Sequence, residues 1–192
     1  SNKNAPWGDK EESVLWPLVK KAVQFLKNQE IDALVLGCNT TDSLFAKRIA
    51  ELVSVPVFGL ISYGAIKATL LSQNKHIALL ATQQTIASGR YKEALYLEDA
   101  SVSVTQMPIL EWAPAIENNC FDVFFEYSLK HIVSQITFSQ ADVGLLGCTH
   151  FPLLWERLKA ALPKQVQACN PAIALAQSLS QSAVFGRGVL AS

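Results

Sequence analysis

Short apolar runs recur along the chain at 31–37, 55–61, 76–81, 101–109, 142–147 and 165–169. Runs of this length predict β-strands. Longer segments between them repeat their apolar positions with helical spacing. Val14, Leu15, Leu18, Val19, Ala22, Phe25 and Leu26 predict a first helix, which Pro17 is expected to kink or to start, and 172–183 predicts a last one. Trp16, Phe25, Phe45, Trp155 and Leu158 fall in helix-like segments and read as core or interface residues. Near-continuous apolar strands alternating with helices imply parallel sheets covered on both faces, the doubly wound α/β class.

Pro56 and Gly59 punctuate the apolar stretch that ends near Ile61, and a second crossing is expected around Cys169 to Pro171. The expected division is therefore a first α/β domain of residues 1–61 plus 171–192 and a second of 62–170. An internal repeat supports two similar halves. Asp32-Ala-Leu-Val-Leu-Gly-Cys38-Asn-Thr-Thr and Asp142-Val-Gly-Leu-Leu-Gly-Cys148-Thr-His-Phe share an Asp, an apolar strand, Gly, Cys and a hydroxyl-bearing helix start. Thr41 and Thr149 are placed to cap the following helices.

This repeat sets a thiol at the carboxyl end of a strand in each half, where parallel sheets hold their ligands. A helix N-terminus favours the thiolate form of a cysteine, and its free N–H groups can hold a carboxylate. Two chemistries are open. Cys148 with His150 can act as a nucleophile for acyl transfer. Two opposed thiols can instead take a proton from one face of a carbon and return one to the other, which is racemisation without a cofactor.

Composition narrows the classes. Of 192 residues 50% are hydrophobic and only 17% charged, against a usual value of about 25%. The 16 Lys and Arg balance 16 Asp and Glu, so no basic surplus exists for nucleic acid. No apolar run approaches the roughly 18 residues of a membrane span. Cys38, Cys120, Cys148 and Cys169 form no Cys-x-x-Cys pair, which suits a reducing compartment. Cys120 and Cys169 follow no strand-Gly step and are expected to be packing residues. No glycine-rich phosphate loop is present, and no cofactor is expected. A metal on Cys38, Cys148 and His150 is chemically feasible, but thiols that exchange protons must stay free, so no metal is expected either.

Gly37-Cys-Asn-Thr-Thr41 and Gly147-Cys-Thr-His-Phe-Pro-Leu-Leu154 closely resemble the two cysteine motifs of the bacterial glutamate racemases, in the aspartate/glutamate racemase superfamily. Pro6-Trp-Gly-Asp-Lys10 is similar to the family's Pro-Tyr-Gly-(Glu/Asp)-Lys loop. Ala81-Thr-Gln-Gln-Thr-Ile-Ala-Ser-Gly-Arg-Tyr91 is similar to its Gly-Thr-x-x-Thr-x-x-Ser-x-x-Tyr segment. Met107-Pro108 through Pro114-Ala-Ile-Glu117 is similar to its Cys-Pro…Pro-Leu-Val-Glu segment.

The resemblance implies two pseudo-symmetric flavodoxin-like domains with the active site between them. It implies Cys38 as acid/base residue toward D-glutamate and Cys148 toward L-glutamate, with His150 tuning Cys148 and Glu117 assisting as a carboxylate. Asn39, Thr40, Thr149 and His150 would hold the amino acid, Trp7 and Gly8 would close over it, and Thr82 and Thr85 would contribute from the second domain. The implied partner is the small molecule glutamate, with no nucleic acid and no membrane and a homodimer left open. The implied role is D-glutamate supply for peptidoglycan in a bacterial cytoplasm.

Taken without the family, Asn39 and Thr40 are equally a helix cap, His150 a structural histidine, Glu117 a solvated helix start and Trp7 an apolar lid. The family's chains begin with a strand and an Asp-Ser-Gly loop, so this chain is expected to be N-terminally incomplete. Trp7 replaces a Tyr, Thr41-Asp42 replaces two small residues, and Cys169-Asn170-Pro171 replaces Asp-Ser-(Gly/Ala). The Pro108 to Pro114 step is longer than the family's. The remaining alternatives are a racemase for aspartate or a related small acid, an inactive remnant that binds an amino acid or a partner protein, and a Cys/His hydrolase.

Overall fold

The computed structural model describes residues 7, 8 and 10–181, apart from the side chains of 121–124 and 127. Pro6, Asp9 and the segment 182–192 lie outside the described residues. The elements run α1 (Glu12–Lys27), β1 (Leu34–Val35), α2 (Asn39–Ala50), β2 (Val57–Phe58), α3 (Leu60–Leu71), β3 (His76–Ala81), α4 (Gln83–Ala87) and α5 (Arg90–Glu98). They continue with β4 (Ser103–Pro108), α6 (Trp112–Glu117), α7 (Phe121–Ser139), β5 (Val143–Gly147), a 3₁₀ turn (Phe151–Leu154), α8 (Trp155–Ala161), β6 (Gln167–Cys169) and α9 (Pro171–Gln181).

All strand pairs are parallel. A larger sheet has the order β4-β3-β5-β6, and a smaller one pairs β1 with β2. The central strands explain the larger sheet. Every residue of β5 and every residue of β3 after His76 is buried, as expected for strands covered on both faces. Alternation then sorts their side chains. Ala78, Leu80 and Leu146 face Trp112, Phe125, Phe151 and Leu158, whereas Ile77, Leu79, Ala81, Val143 and Leu145 face Ala65, Ala68, Tyr91 and Leu95 of α3 and α5.

The smaller sheet has its own core. Leu15, Val19 and Val23, four residues apart on α1, close over Leu34, Leu36, Phe45 and Ile49. Each such buried side chain stabilises by about 1.5–3 kcal/mol. Pro17 lies inside α1, which starts at Glu12, so it neither begins nor ends the helix. Phe25, expected on the packed face, is 66% exposed, because it sits about 200° around the helix from Val23.

Strand bounds also differ from expectation. The run 31–37 yields only β1 at Leu34–Val35, and the run 55–61 is strand only at Val57–Phe58. Leu60 and Ile61 open α3 instead, because Gly59, itself extended, leaves room for the Asp42 carboxylate, which receives the Ile61 N–H at 2.7 Å. The described part of 171–192, grouped by sequence with the first domain, makes its helix packing against α3 and β5.

Asp142 joins β5 to the loop before β3. Its carboxylate accepts the Ser72 hydroxyl at 2.6 Å and the Gln73 and Asn74 N–H groups at 2.7 and 2.9 Å. Burial alone would raise this carboxyl, but the Ser72, Asn74 and Gln73 bonds outweigh it and hold the group below its ordinary value. A carboxyl depressed in the fold stabilises fully above its unfolded value of about 3.9, and that contribution fades as pH falls through the folded value. Asp142→Ala should cost about 2–3 kcal/mol at neutral pH by urea denaturation, and its difference from the parent should shrink below about pH 4.

Candidate active site

The register of the larger sheet decides what stands at its carboxyl edge. Ala81 pairs with Pro108 on one side and Gly147 on the other, so Thr82 and Cys148 leave neighbouring strands side by side. Gly147 permits this closeness, since a Cβ there would lie 2.9 Å from the Ala81 Cβ. Thr82 caps α4, its hydroxyl accepting the Thr85 N–H at 3.4 Å. Cys148, buried to 6% exposure, opens a tight turn in which the Phe151 N–H meets its carbonyl at 3.2 Å. Thr149 is exposed on that turn, where no regular helix begins for it to cap.

The Cys148 Sγ lies 3.7 Å from His150 Nδ1, and His150 Nε2 lies 2.6 Å from Glu117 Oε1. A carboxylate only accepts, so Nε2 carries the proton of that bond and Nδ1 is the nitrogen that faces the thiol. Glu117 reaches His150 because it ends α6, which Trp112 anchors. That ring is 1% exposed, lies 5.3 Å from Phe125 and 5.1 Å from Phe151, and donates to the Ser128 hydroxyl at 2.7 Å. About a third of each of the His150 and Glu117 side chains meets solvent.

Cys38 is itself the N-cap residue of α2, with its carbonyl accepting the Asp42 N–H at 2.9 Å. Thr41, expected as the cap, lies inside the first turn instead. Asn39, Thr40, Asp42 and Ser43 are all buried. The Thr40 hydroxyl lies 3.1 Å from that of Thr82 and 3.4 Å from that of Thr85, and Thr82 and Thr85 are 3.0 Å apart. This hydroxyl triad lays the Cys38 loop against the strand end beside Cys148. Next to it the Tyr91 hydroxyl donates to Asn39 Oδ1 at 2.5 Å.

Two residues without an assigned role in the sequence are central here. Asp42 is the buried cap of α3, and only glycine fits at 59, where a Cβ would fall 2.2 Å from its Oδ1. Burial pushes the Asp42 carboxyl up, and the Ile61 and Leu60 N–H groups and Arg90 draw it partly back. Tyr91 is fully buried, and burial, reinforced by Asp42, Cys169 and Cys148, raises its phenol well above the ordinary value. The tyrosine closing the Thr-x-x-Thr-x-x-Ser-x-x-Tyr segment was the one signal for it. Helical spacing alone gives it no role.

Gly8 is buried against Thr82, and Trp7 lines an apolar cavity of about 210 Å³ together with Cys38, Thr41, Val19 and Leu36. Cys169 is a packing residue, donating weakly to the Gly64 carbonyl at 3.6 Å with its thiol pushed up to about 12 by burial. Cys120, expected to pack, is exposed at the start of α7. Among the described residues no three His, Cys, Asp or Glu side chains gather as a metal site, and no helix is long and apolar enough to cross a membrane.

Fold and site define a parallel α/β protein that sets one strand-end cysteine loop from each sheet about a shared hydroxyl contact. Residues 6–179 match the Asp/Glu/Hydantoin racemase family, and the chain belongs to it. The glutamate racemase of Thermoanaerobacter sp. strain X514 is 29% identical over 175 residues, which cover 91% of this chain and 65% of that protein. The crystal structure of glutamate racemase isoform RacE1 from Bacillus anthracis shares 30% identity at a TM-score of 0.90, over 100% of this chain and 72% of that one. Glutamate racemase from Thermus thermophilus, solved in complex with β-chloro-D-alanine, shares 26% identity at 0.75, over 93% and 66%. The chain thus spans about two thirds of the length of such relatives, 65% in the first case.

A Cβ at position 8 would lie 2.4 Å from Thr82 Cγ2 and 2.5 Å from Thr82 Cβ. Gly8→Ala should therefore destabilise by about 1–3 kcal/mol in thermal unfolding, and Thr82→Ser in the same chain should recover part of the loss by removing the methyl group.

Proposed function

We propose that this chain interconverts L- and D-glutamate by proton transfer at Cα, with Cys38 and Cys148 as the two acid/base residues and no cofactor. The observation that carries the reading is the hydroxyl triad. Thr40 stands two residues after Cys38, and Thr82 leaves its strand beside Cys148, so one contact joins both thiol loops. Family membership supports the reaction class, and the relatives named glutamate racemases support the substrate. A structural relative that holds β-chloro-D-alanine supports an amino acid in this kind of site.

In the proposed cycle one thiolate takes the Cα proton, so that a Cα–H bond breaks, an S–H bond forms and the electron pair stays on a flattened Cα. The opposite thiol then gives its proton to the other face and is left as thiolate. Cys38 serves D-glutamate and Cys148 serves L-glutamate. His150 takes the Cys148 proton through Nδ1, and Glu117 holds the ring in the tautomer that allows it. Asn39, Thr40, Thr82, Thr85 and Thr149 hold the amino acid, while Trp7 and Gly8 close over it. The product serves peptidoglycan synthesis in a bacterial cytoplasm.

The test is exchange in deuterated water, with Cα–H loss followed by NMR and inversion by optical rotation. The parent chain should wash out the α-proton of both glutamate enantiomers while racemising them, with aspartate slower. Cys38→Ser and Cys148→Ser should each cut racemisation by about 10²–10⁴-fold. Each should still exchange the enantiomer that its remaining thiol serves. Undiminished racemisation in both variants would overturn the two-cysteine assignment, and absence of exchange in the parent chain would overturn the reaction.

A further inference from the structure

Asn39 opens α2 directly after Cys38 and is 2% exposed. Its carbonyl oxygen is taken by the Tyr91 hydroxyl at 2.5 Å, and its Nδ2 group, equally buried, has no hydrogen-bond partner among the described residues. Buried amide donors in folded proteins are nearly always paired, so an orphan beside a reactive thiol marks a place where an acceptor belongs. A side-chain amide is planar. Holding Oδ1 therefore also aims both Nδ2–H bonds, and turning the group over would present an oxygen where a hydrogen had been.

We infer that Tyr91 is the positioning residue that fixes the Asn39 amide with its NH₂ toward the site, making Asn39 a donor to a substrate carboxylate. The inference rests on the racemase reading and deepens it. Tyr91 is suited to the task because it cannot move. It is 0% exposed, packed on α5 within the core that contains Ala65, Leu79 and Leu95, and a Cβ on Gly64 would already lie 3.3 Å from its ring. It also stays a donor. Burial, with Asp42, Cys169 and Cys148 nearby, keeps the phenol protonated through any working pH, so the amide never meets a phenolate that would prefer its NH₂ side. Tyr91 thereby ties substrate recognition on α2 to the core of the larger sheet, 52 residues further along the chain.

The experiment is a double-mutant cycle on the full chain with Tyr91→Phe and Asn39→Ala, reading the Kd for D-glutamate by calorimetry and the Asn39 side-chain amide signals by ¹⁵N NMR. Tyr91→Phe should shift those signals before any ligand is added and raise Kd about tenfold, whereas in the Asn39→Ala background the same change should alter Kd by less than about twofold. A merely structural role for Tyr91 would weaken binding equally in both backgrounds, and that result would overturn the inference. Unmoved Asn39 signals in Tyr91→Phe, or a parent chain that binds no D-glutamate, would overturn it too. If the coupling holds while bound D-glutamate keeps its Cα–H in deuterated water, the racemase reading fails and the amide assignment stands.

Discussion

In the larger sheet β3 and β5 run parallel with Ala81 opposite Gly147, and the candidate site is built outward from that one register. It delivers Thr82 and Cys148 to the same edge. Thr82 then makes the contact with Thr40 that draws in the Cys38 loop, and Gly8 fits against the other side of Thr82. A slip by one residue would turn every alternating side chain of β5 to the wrong face and carry Cys148 away from the edge. The near-continuous burial of both strands makes that slip costly, because each face already has its own set of partners. Positioning of the chemistry therefore depends on hydrophobic packing well below it.

Above the edge the contact between α2 and the larger sheet is polar and buried at once. Asn39, Thr40, Asp42, Ser43, Thr82 and Thr85 are all below a tenth exposed, together with the phenol of Tyr91. Such a seam holds only where nearly every donor finds an acceptor. Ser43 closes on the Thr40 carbonyl at 3.0 Å, the threonines close on one another, and Asp42 caps α3. The Asn39 Nδ2 group is the exception. An apolar seam would be easier to satisfy.

Asp42 shows how a departure in sequence becomes legible only in three dimensions. Beside the small residues usual in the resembling motif it reads as an oddity. In the fold it supplies the cap that α3 lacks locally, since Gly59 has no side chain to cap with. The longer step from Pro108 to Pro114 behaves in the same way. Trp112 falls within it and locks α6 into the core, so Glu117 still meets His150.

The linear pattern of residues carries the alternation of strands and helices, the parallel class, both cysteine turns and the family, because these depend on periodicity and on residues adjacent in the chain. It placed β3 and β5 closely, where burial on both faces leaves an unbroken apolar run. It overran β1 and β2, it grouped Phe25 with the packed face of α1, and it gave the cap of α2 to Thr41, because strand ends, helix faces and caps depend on partners it does not display. Folding alone reveals that α9 packs on α3 and β5, that Asp42 caps another helix, that Thr40 meets Thr82 and Thr85, and that Tyr91 holds Asn39. Each of these is a pairing between groups distant in sequence, and side-chain hydrogen bonds of that range leave no period in the chain for a reader to find.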